Sequence, residues 1–156
     1  MTNTERKIIV RIAEGLGNQL FMYANAYALS KNYEYDLLID NTSGYFKRKN
    51  KLRSYELDKF LILNKIAPYN LKFDTYYKDF KRKIMKYLDK YKKNKNFLIE
   101  KKDLNKYTSF GKIDLNKYSD KVFLEGHFES EKYFYEYENE IKRLFTIKSN
   151  NLNKNN

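Results

Sequence analysis

Cysteine is absent from the chain, which excludes a disulfide framework and any thiolate metal site and makes a cytoplasmic location the expectation. Histidine occurs once, as His127, so a histidine-rich metal centre is excluded and no metal is expected. No apolar run approaches the ~18–20 residues that a membrane-spanning helix requires. The first apolar run is broken by Arg11 and is followed by no small-residue cleavage site, so a secretory leader is not expected. Arginine is scarce beside lysine, standing at Arg6, Arg11, Arg48, Arg53, Arg82 and Arg143 alone. Readers of nucleic acid lean on arginine for bidentate base contacts, and nucleic acid is not expected as a partner. Proline occurs once, as Pro68, and glycine only at 15, 17, 44, 111 and 126, so the points where the backbone turns easily are few and informative.

Aromatic and basic residues are what the chain has in plenty. Sixteen tyrosines and 11 phenylalanines, within a hydrophobic content of 42%, supply a core for one domain among 156 residues and argue against disorder. The net charge of +12 invites an anionic partner, either a phosphorylated ligand or an anionic membrane surface. The lysines run through every segment, however, so a general bias toward Lys, Asn, Ile and Tyr explains that charge as well. The domain is read as 1–148, followed by a polar tail, 149–156, with nothing to bury.

Hydrophobic periodicity predicts an α/β chain. Lys7–Ala13 is rich in β-branched residues and reads as a strand. Leu20, Phe21, Ala24, Ala28 and Leu29 share one face of a helix over 18–32. Tyr35–Asp40 is the next strand, completing a β-α-β unit of the length a right-handed crossover between parallel strands needs. Asn41–Asn50 is a turn-rich basic loop broken at Ser43-Gly44. Tyr55, Leu57, Phe60, Leu61 and Leu63 suggest a short amphipathic element, closed by Pro68. Over Tyr76–Lys93 the residues Tyr77, Phe80, Ile84, Leu88 and Tyr91 form an apolar stripe among lysines. Such a helix lies on an anionic membrane surface or buries its stripe and solvates its lysines; the buried arrangement is the expectation. Residues 94–120 read as loop, with a strand candidate at Phe97–Ile99. The sequence Asp-Leu-Asn-Lys-Tyr recurs at 103–107 and 114–118, too briefly for a repeat architecture. Lys121–Leu124 is the last strand, and Ser130 caps a helix to about Ile147 with Tyr133, Phe134, Tyr137, Ile141, Leu144 and Phe145 on its apolar face.

Candidate chemistry gathers after two strands. In Gly15-Leu16-Gly17-Asn18-Gln19 the glycines suit a sharp strand-to-helix turn, and Asn18 is a natural N-cap. The amides and dipole of such a helix end favour an anion, often a phosphate. The plainer reading is a tight turn whose amide side chains tie down neighbouring loops. Asp40, ending the second strand, stands where an acid often holds a ribose, yet Leu20 breaks the glycine fingerprint, and a strand-end role is expected. After the last strand, His127, Glu129, Ser130 and Glu131 form a polar cluster in which Glu129 or Glu131 could act as base with help from His127. Ligands of open α/β sheets bind beyond the carboxyl ends of the strands, so the two stretches could meet there.

Three segments carry a family likeness. Gly15-Leu16-Gly17-Asn18-Gln19-Leu20-Phe21-Met22-Tyr23-Ala24 resembles the Gly-Leu-Gly-Asn-Gln-Leu/Met-Phe-x-Tyr-Ala opening of the α-1,2-fucosyltransferases, inverting enzymes that move fucose from GDP-fucose to a sugar hydroxyl. Gly126-His127-Phe128-Glu129-Ser130-Glu131-Lys132-Tyr133-Phe134 is similar to that family's Gly-Tyr-Phe/Trp-Gln-Ser-Glu-Lys-Tyr-Phe. Tyr55-Glu56-Leu57-Asp58-Lys59-Phe60 is similar to its Tyr-x-Leu-x-x-Phe segment. The chain departs from the pattern at Glu14, where a further Gly is usual, and at His127 and Glu129, where Tyr and Gln are usual.

The resemblance implies a Rossmann-like parallel-sheet domain, the N-terminal half of a GT-B-type glycosyltransferase. It assigns Gly15, Leu16, Gly17, Asn18 and Gln19 to the nucleotide sugar and His127, Phe128, Glu129 and Ser130 to the acceptor side. It further implies a galactose-containing acceptor glycan, no metal, and a place at the inner membrane face. The family's His-x-Arg-x-Gly-Asp signature, which supplies an arginine to the departing diphosphate, does not occur, because no glycine here is followed by aspartate. The donor-binding domain is therefore expected to be absent, a separately encoded second half is a conceivable partner, and little or no transfer is expected from this chain alone. The alternative is a non-catalytic basic α/β module that binds a glycan, a nucleotide or a protein.

Overall fold

A computed structural model of the chain describes residues 6–47, 52–63, 65–100 and 113–149. The end of the basic loop, the first Asp-Leu-Asn-Lys-Tyr copy and all but the start of the tail lie outside the described residues. Four strands, β1 (Lys7–Arg11), β2 (Asp36–Asp40), β3 (Lys95–Ile99) and β4 (Tyr118–Glu125), form one parallel sheet in the order β2-β1-β4-β3. The helices are α1 (Leu16–Tyr33), α2 (Tyr76–Asp89) and α3 (Glu138–Leu144). The chain is an α/β protein. Among the described residues, no helix is long and apolar enough to cross a membrane.

Both faces of the sheet are covered, which is why the strands read as continuous apolar runs. Ile8, Val10, Ile39, Leu98, Val122 and Leu124 face α1 and Ile141 of α3, while the alternate residues Ile9, Leu38, Phe97 and Phe123 face Ala67, Leu71 and Phe73. Period-two alternation thus divides one set of strands between two cores. Phe73, Phe97 and Phe123 meet ring to ring, with the Phe97 and Phe123 centroids 5.1 Å apart.

Four expectations are corrected. Helix α1 begins at Leu16 with Gly15 as its cap, without a side-chain cap bond, so Asn18 lies inside the first turn and is not the N-cap. The chain turns early because Glu14, three residues past the end of β1, adopts a positive φ of 66°. Leu61 and Leu63 are exposed; Leu57, Phe60 and Ile62 enter the core and Tyr55 packs against it. The stretch after Ser130 is not one helix. Single 3-10 turns at Glu131–Tyr133 and Tyr135–Tyr137 precede α3, a three-residue spacing that seats Phe134 on Phe21 and Tyr137 on Tyr27 of α1.

The fourth correction concerns α2, which ends at Asp89 and holds its aromatic stripe outward. Tyr77, Phe80, Ile84, Leu88 and, just past the helix, Tyr91 are exposed, whereas Asp79 and Asp89 are buried. Charge satisfaction decides this orientation. Glu125, ending β4 in the sheet interior, accepts from Arg82 and Lys86 at 2.6 and 2.7 Å, and the Asp89 carboxylate accepts from the backbone of Asn96 and Phe97 to start β3. A buried carboxylate costs several kcal/mol unless it is paired, more than an exposed ring forfeits.

Candidate functional site

A cleft of about 300 Å³ opens beyond the carboxyl ends of β1, β4 and β3. Arg11, Ala13 and Glu14 line it from the end of β1, Glu125, Gly126 and His127 from the end of β4, and Ile99 and Glu100 from the end of β3. Met22 of α1 closes one wall. Residues more than a hundred positions apart meet here because β1 and β4 are hydrogen-bonded neighbours. The chain leaves β1 toward β2, away from β4, so the cleft opens where the connections part, the usual ligand crevice of an open parallel sheet.

Each turn at the cleft has its own fastening. Glu14 lies in the left-handed region, and its carboxylate accepts from Arg53 at 2.7 Å. After β4, Gly126 has φ +155°, and a Cβ there would lie 2.4 Å from Glu100 Cβ, so only glycine fits. The Glu100 carboxylate accepts from the backbone N–H of His127 and Phe128 at 2.8 and 3.1 Å, holding the turn against β3. Gly44 performs the same service after β2, since a Cβ would come within 2.1 Å of the Ile12 carbonyl.

The electrostatics of the cleft rest on a buried ionic network. Arg82 bridges Asp79 (2.8 Å) and Glu125 (2.6 Å), Lys86 completes Glu125, and Lys47 reaches Asp79. Burial works to raise the Glu125 carboxyl, but Arg82 and Lys86 outweigh it and hold the group below its ordinary value. Burial likewise opposes ionisation of Asp79, yet its bonds from Lys47 and Arg82 bring it down to about 2. Arg11 donates through Nη2 to the Ser43 carbonyl at 3.0 Å, while its buried Nε has no hydrogen-bond partner. Burial, and then the nearby Arg82, draw the Arg11 guanidinium below its ordinary pKa.

The anticipated site residues divide clearly. Gly15, Leu16, Gly17 and Asn18 form the cap and first turn of α1, whose leading N–H groups have no partner within the helix. Neither Gly15 nor Gly17 has a positive φ, and a Cβ on either would meet open space. Gln19 is fully buried and its side chain turns into the fold: Nε2 donates to the carbonyls of Glu14 and Ser54 at 3.1 and 2.8 Å, and Oε1 accepts from Glu56 N–H at 2.9 Å. It ties the turn to the segment at 54–56, the plainer of the two readings of this stretch.

Asp40 similarly spends its carboxylate on Thr42 and Ser43 in its own loop. His127 lines the cleft, with Nδ1 3.5 Å from Glu129 Oε1. Phe128 is a core residue with its ring edge-on to Tyr133, Ser130 caps the following turn through Lys132 N–H, and Glu129 and Glu131 are exposed outside the cleft lining.

Arg11, Glu100 and Glu125 are cleft residues that sequence reasoning did not single out. For Arg11 and Glu125 a signal existed: each is a charge that directly follows a three-residue apolar run at the carboxyl end of its strand, where ligands of parallel sheets bind. Glu100 carried none. Among the described residues, no group of three or more side chains is arranged to hold a metal ion. A second cavity of about 320 Å³ lies between α1 and residues 132–137, and no residue of 14–19 or 127–131 lines it. Comparison with protein families, with curated proteins and with solved structures returns no match.

Proposed function

We propose that this chain is the acceptor-side, Rossmann-like half of a GT-B-type glycosyltransferase, acting on GDP-fucose and a galactose-containing glycan. One observation carries the reading: the two stretches that resemble the α-1,2-fucosyltransferases flank a single cleft outside adjacent parallel strands. The first turn of α1 offers its amides to an anionic group of the donor, and Gly15 and Gly17 leave the approach open. Arg11 supplies a buried cation one step behind that turn. His127, steadied by Glu129, is the cleft group able to accept a proton from an acceptor hydroxyl. Gln19 and Glu100 are positioning residues that hold the two turns in place.

The chain's five glycines make the test direct, because Gly126 lines the cleft, Gly15 and Gly17 follow the lining residue Glu14 at the start of α1, and their amides are readily assigned by single substitution. In a nitrogen-15 correlation spectrum, GDP-fucose is expected to shift Gly15 and Gly17, and a β-galactoside to shift Gly126. Failure of both ligands to move any of the three at millimolar concentration overturns the reading. Transfer of fucose by the 156-residue protein is expected to be absent or very slow, and appreciable turnover would show that the acceptor-side assignment is too narrow.

A further inference from the structure

We propose that α2 seats this protein on an anionic membrane surface, with its outward aromatic stripe in the lipid interface and its flanking lysines on the headgroups. The inference rests on the exposed face of one helix and is independent of the transferase reading.

A helix of a globular protein ordinarily turns its apolar stripe to the core, and α2 does the reverse. Tyr76, Tyr77, Phe80, Ile84, Tyr87 and Leu88 fall within an arc of roughly 120° at 3.6 residues per turn. All of them face solvent, their exposure running from 44% at Ile84 to 77% at Tyr77. The inward face is polar apart from Met85, being made of Asp79, Arg82, Lys86 and Asp89. The fold therefore uses the charged face of this helix and, apart from Tyr76, whose ring meets Phe46 edge-on, leaves the aromatic one unpacked by other elements among the described residues.

Charge identifies what that face fits. At helical spacing Lys83 and Lys90 run along one edge of the stripe and Lys81 along the other, all exposed. The helix has two acids, Asp79 and Asp89, and both are buried, so its outward face carries aromatic, aliphatic and cationic side chains and no acid. Protein interfaces favour arginine and are depleted in lysine. Tyrosine and lysine suit a lipid interface instead: tyrosine keeps its hydroxyl wet while its ring is buried, and lysine extends its ammonium past apolar surface to the phosphates. Lys90 already leans over the Tyr87 ring at 5.7 Å, and Tyr87 meets Tyr91 at 5.9 Å, which continues the patch past the helix end. The occupant that satisfies both components is a bilayer carrying anionic headgroups.

The absence of tryptophan makes the experiment clean, since Tyr87→Trp gives the chain one tryptophan, excited apart from its tyrosines and placed in the stripe. The full chain would be titrated with vesicles of phosphatidylcholine alone and of phosphatidylcholine with roughly one-third phosphatidylglycerol. A blue shift confined to the anionic vesicles, weakened by salt, is expected. Replacing Lys81, Lys83 and Lys90 together by Gln should weaken partitioning roughly hundredfold, taking about 1 kcal/mol per lysine. A second variant, Phe80→Ser with Ile84→Ser and Leu88→Ser, should lose the blue shift while retaining the circular dichroism of the parent, because these side chains are exposed. No partitioning onto anionic vesicles overturns the proposal, and so does partitioning that both variants retain. Loss of a dimer in sedimentation velocity by the serine variant, with no vesicle binding by the parent, assigns the face to a protein contact and also overturns it.

Discussion

Glu14 stands at the one position in the β1–α1 turn where the backbone enters the left-handed region. A φ of 66° is one that glycine adopts without strain and other residues do not. A side chain at that φ carries strain of about 1–2 kcal/mol, against which Glu14 sets its ion pair with Arg53. Comparing Glu14→Gly with Glu14→Ala removes the ion pair from both and isolates the backbone. The glycine variant is expected to be more stable by about 1 kcal/mol in chemical denaturation, the opposite of the order at ordinary helical or strand positions. Equal stability, or a more stable alanine variant, would show that the turn is not held at this φ in solution. Gly15 and Gly17 have no such requirement, so their value lies in the space that they leave open.

At the scale of the element, α2 is held by charge and not by an apolar stripe. Arg82, with its side chain only 12% exposed, is the hinge of the arrangement because it serves Asp79 and Glu125 together. Arg82→Met keeps the volume and removes the charge, leaving the two buried carboxylates with Lys47, Lys86 and the exposed Lys83. Removing one member of a buried pair costs about 3–5 kcal/mol, and the remaining lysines set the expected loss at the lower end, about 3 kcal/mol. Lys83→Met is the control: its ammonium lies 3.7 Å from Asp79 but is largely exposed, and the expected change is below about 0.5 kcal/mol. Urea midpoints of the two variants would show the contrast, and similar losses in both would mean that the network is not buried as described.

For the whole molecule the same network predicts acid sensitivity. Asp79 and Glu125 both ionise more easily in the folded state than in the unfolded chain. As pH falls, the unfolded chain takes up these protons first, from its ordinary values of 3.8 and 4.5, so stability is fully present only above about pH 5 and declines toward pH 2. The drop of Asp79 from 3.8 to about 2 corresponds to something on the order of 2 kcal/mol at 1.36 kcal/mol per pH unit. Thermal unfolding followed from pH 6 down to pH 2 is expected to show a flat region and then a fall, and Arg82→Met should flatten that fall. A melting temperature constant to pH 2 would remove the network from the account of stability.

Much of the architecture was legible in local sequence. The strand-like runs read at 7–13 and 35–40, with one helix between them, predict the parallel pairing observed, because a right-handed crossover of that length returns the chain in the same direction. The place of the cleft was legible too, since both motifs begin just past strands. What local pattern could not supply was anything decided by a partner distant in the chain. The neighbouring of β1 and β4, the inward turn of Gln19 to Ser54 and Glu56, and the grip of Glu100 on His127 and Phe128 join residues dozens to more than a hundred positions apart. The orientation of α2 is the sharpest case. Its period of 3.6 correctly defines two faces, but periodicity says nothing about which face the sheet demands. Glu125, nearly forty residues further on, needed cations more than the core needed rings, and that requirement exists only once the strands are assembled.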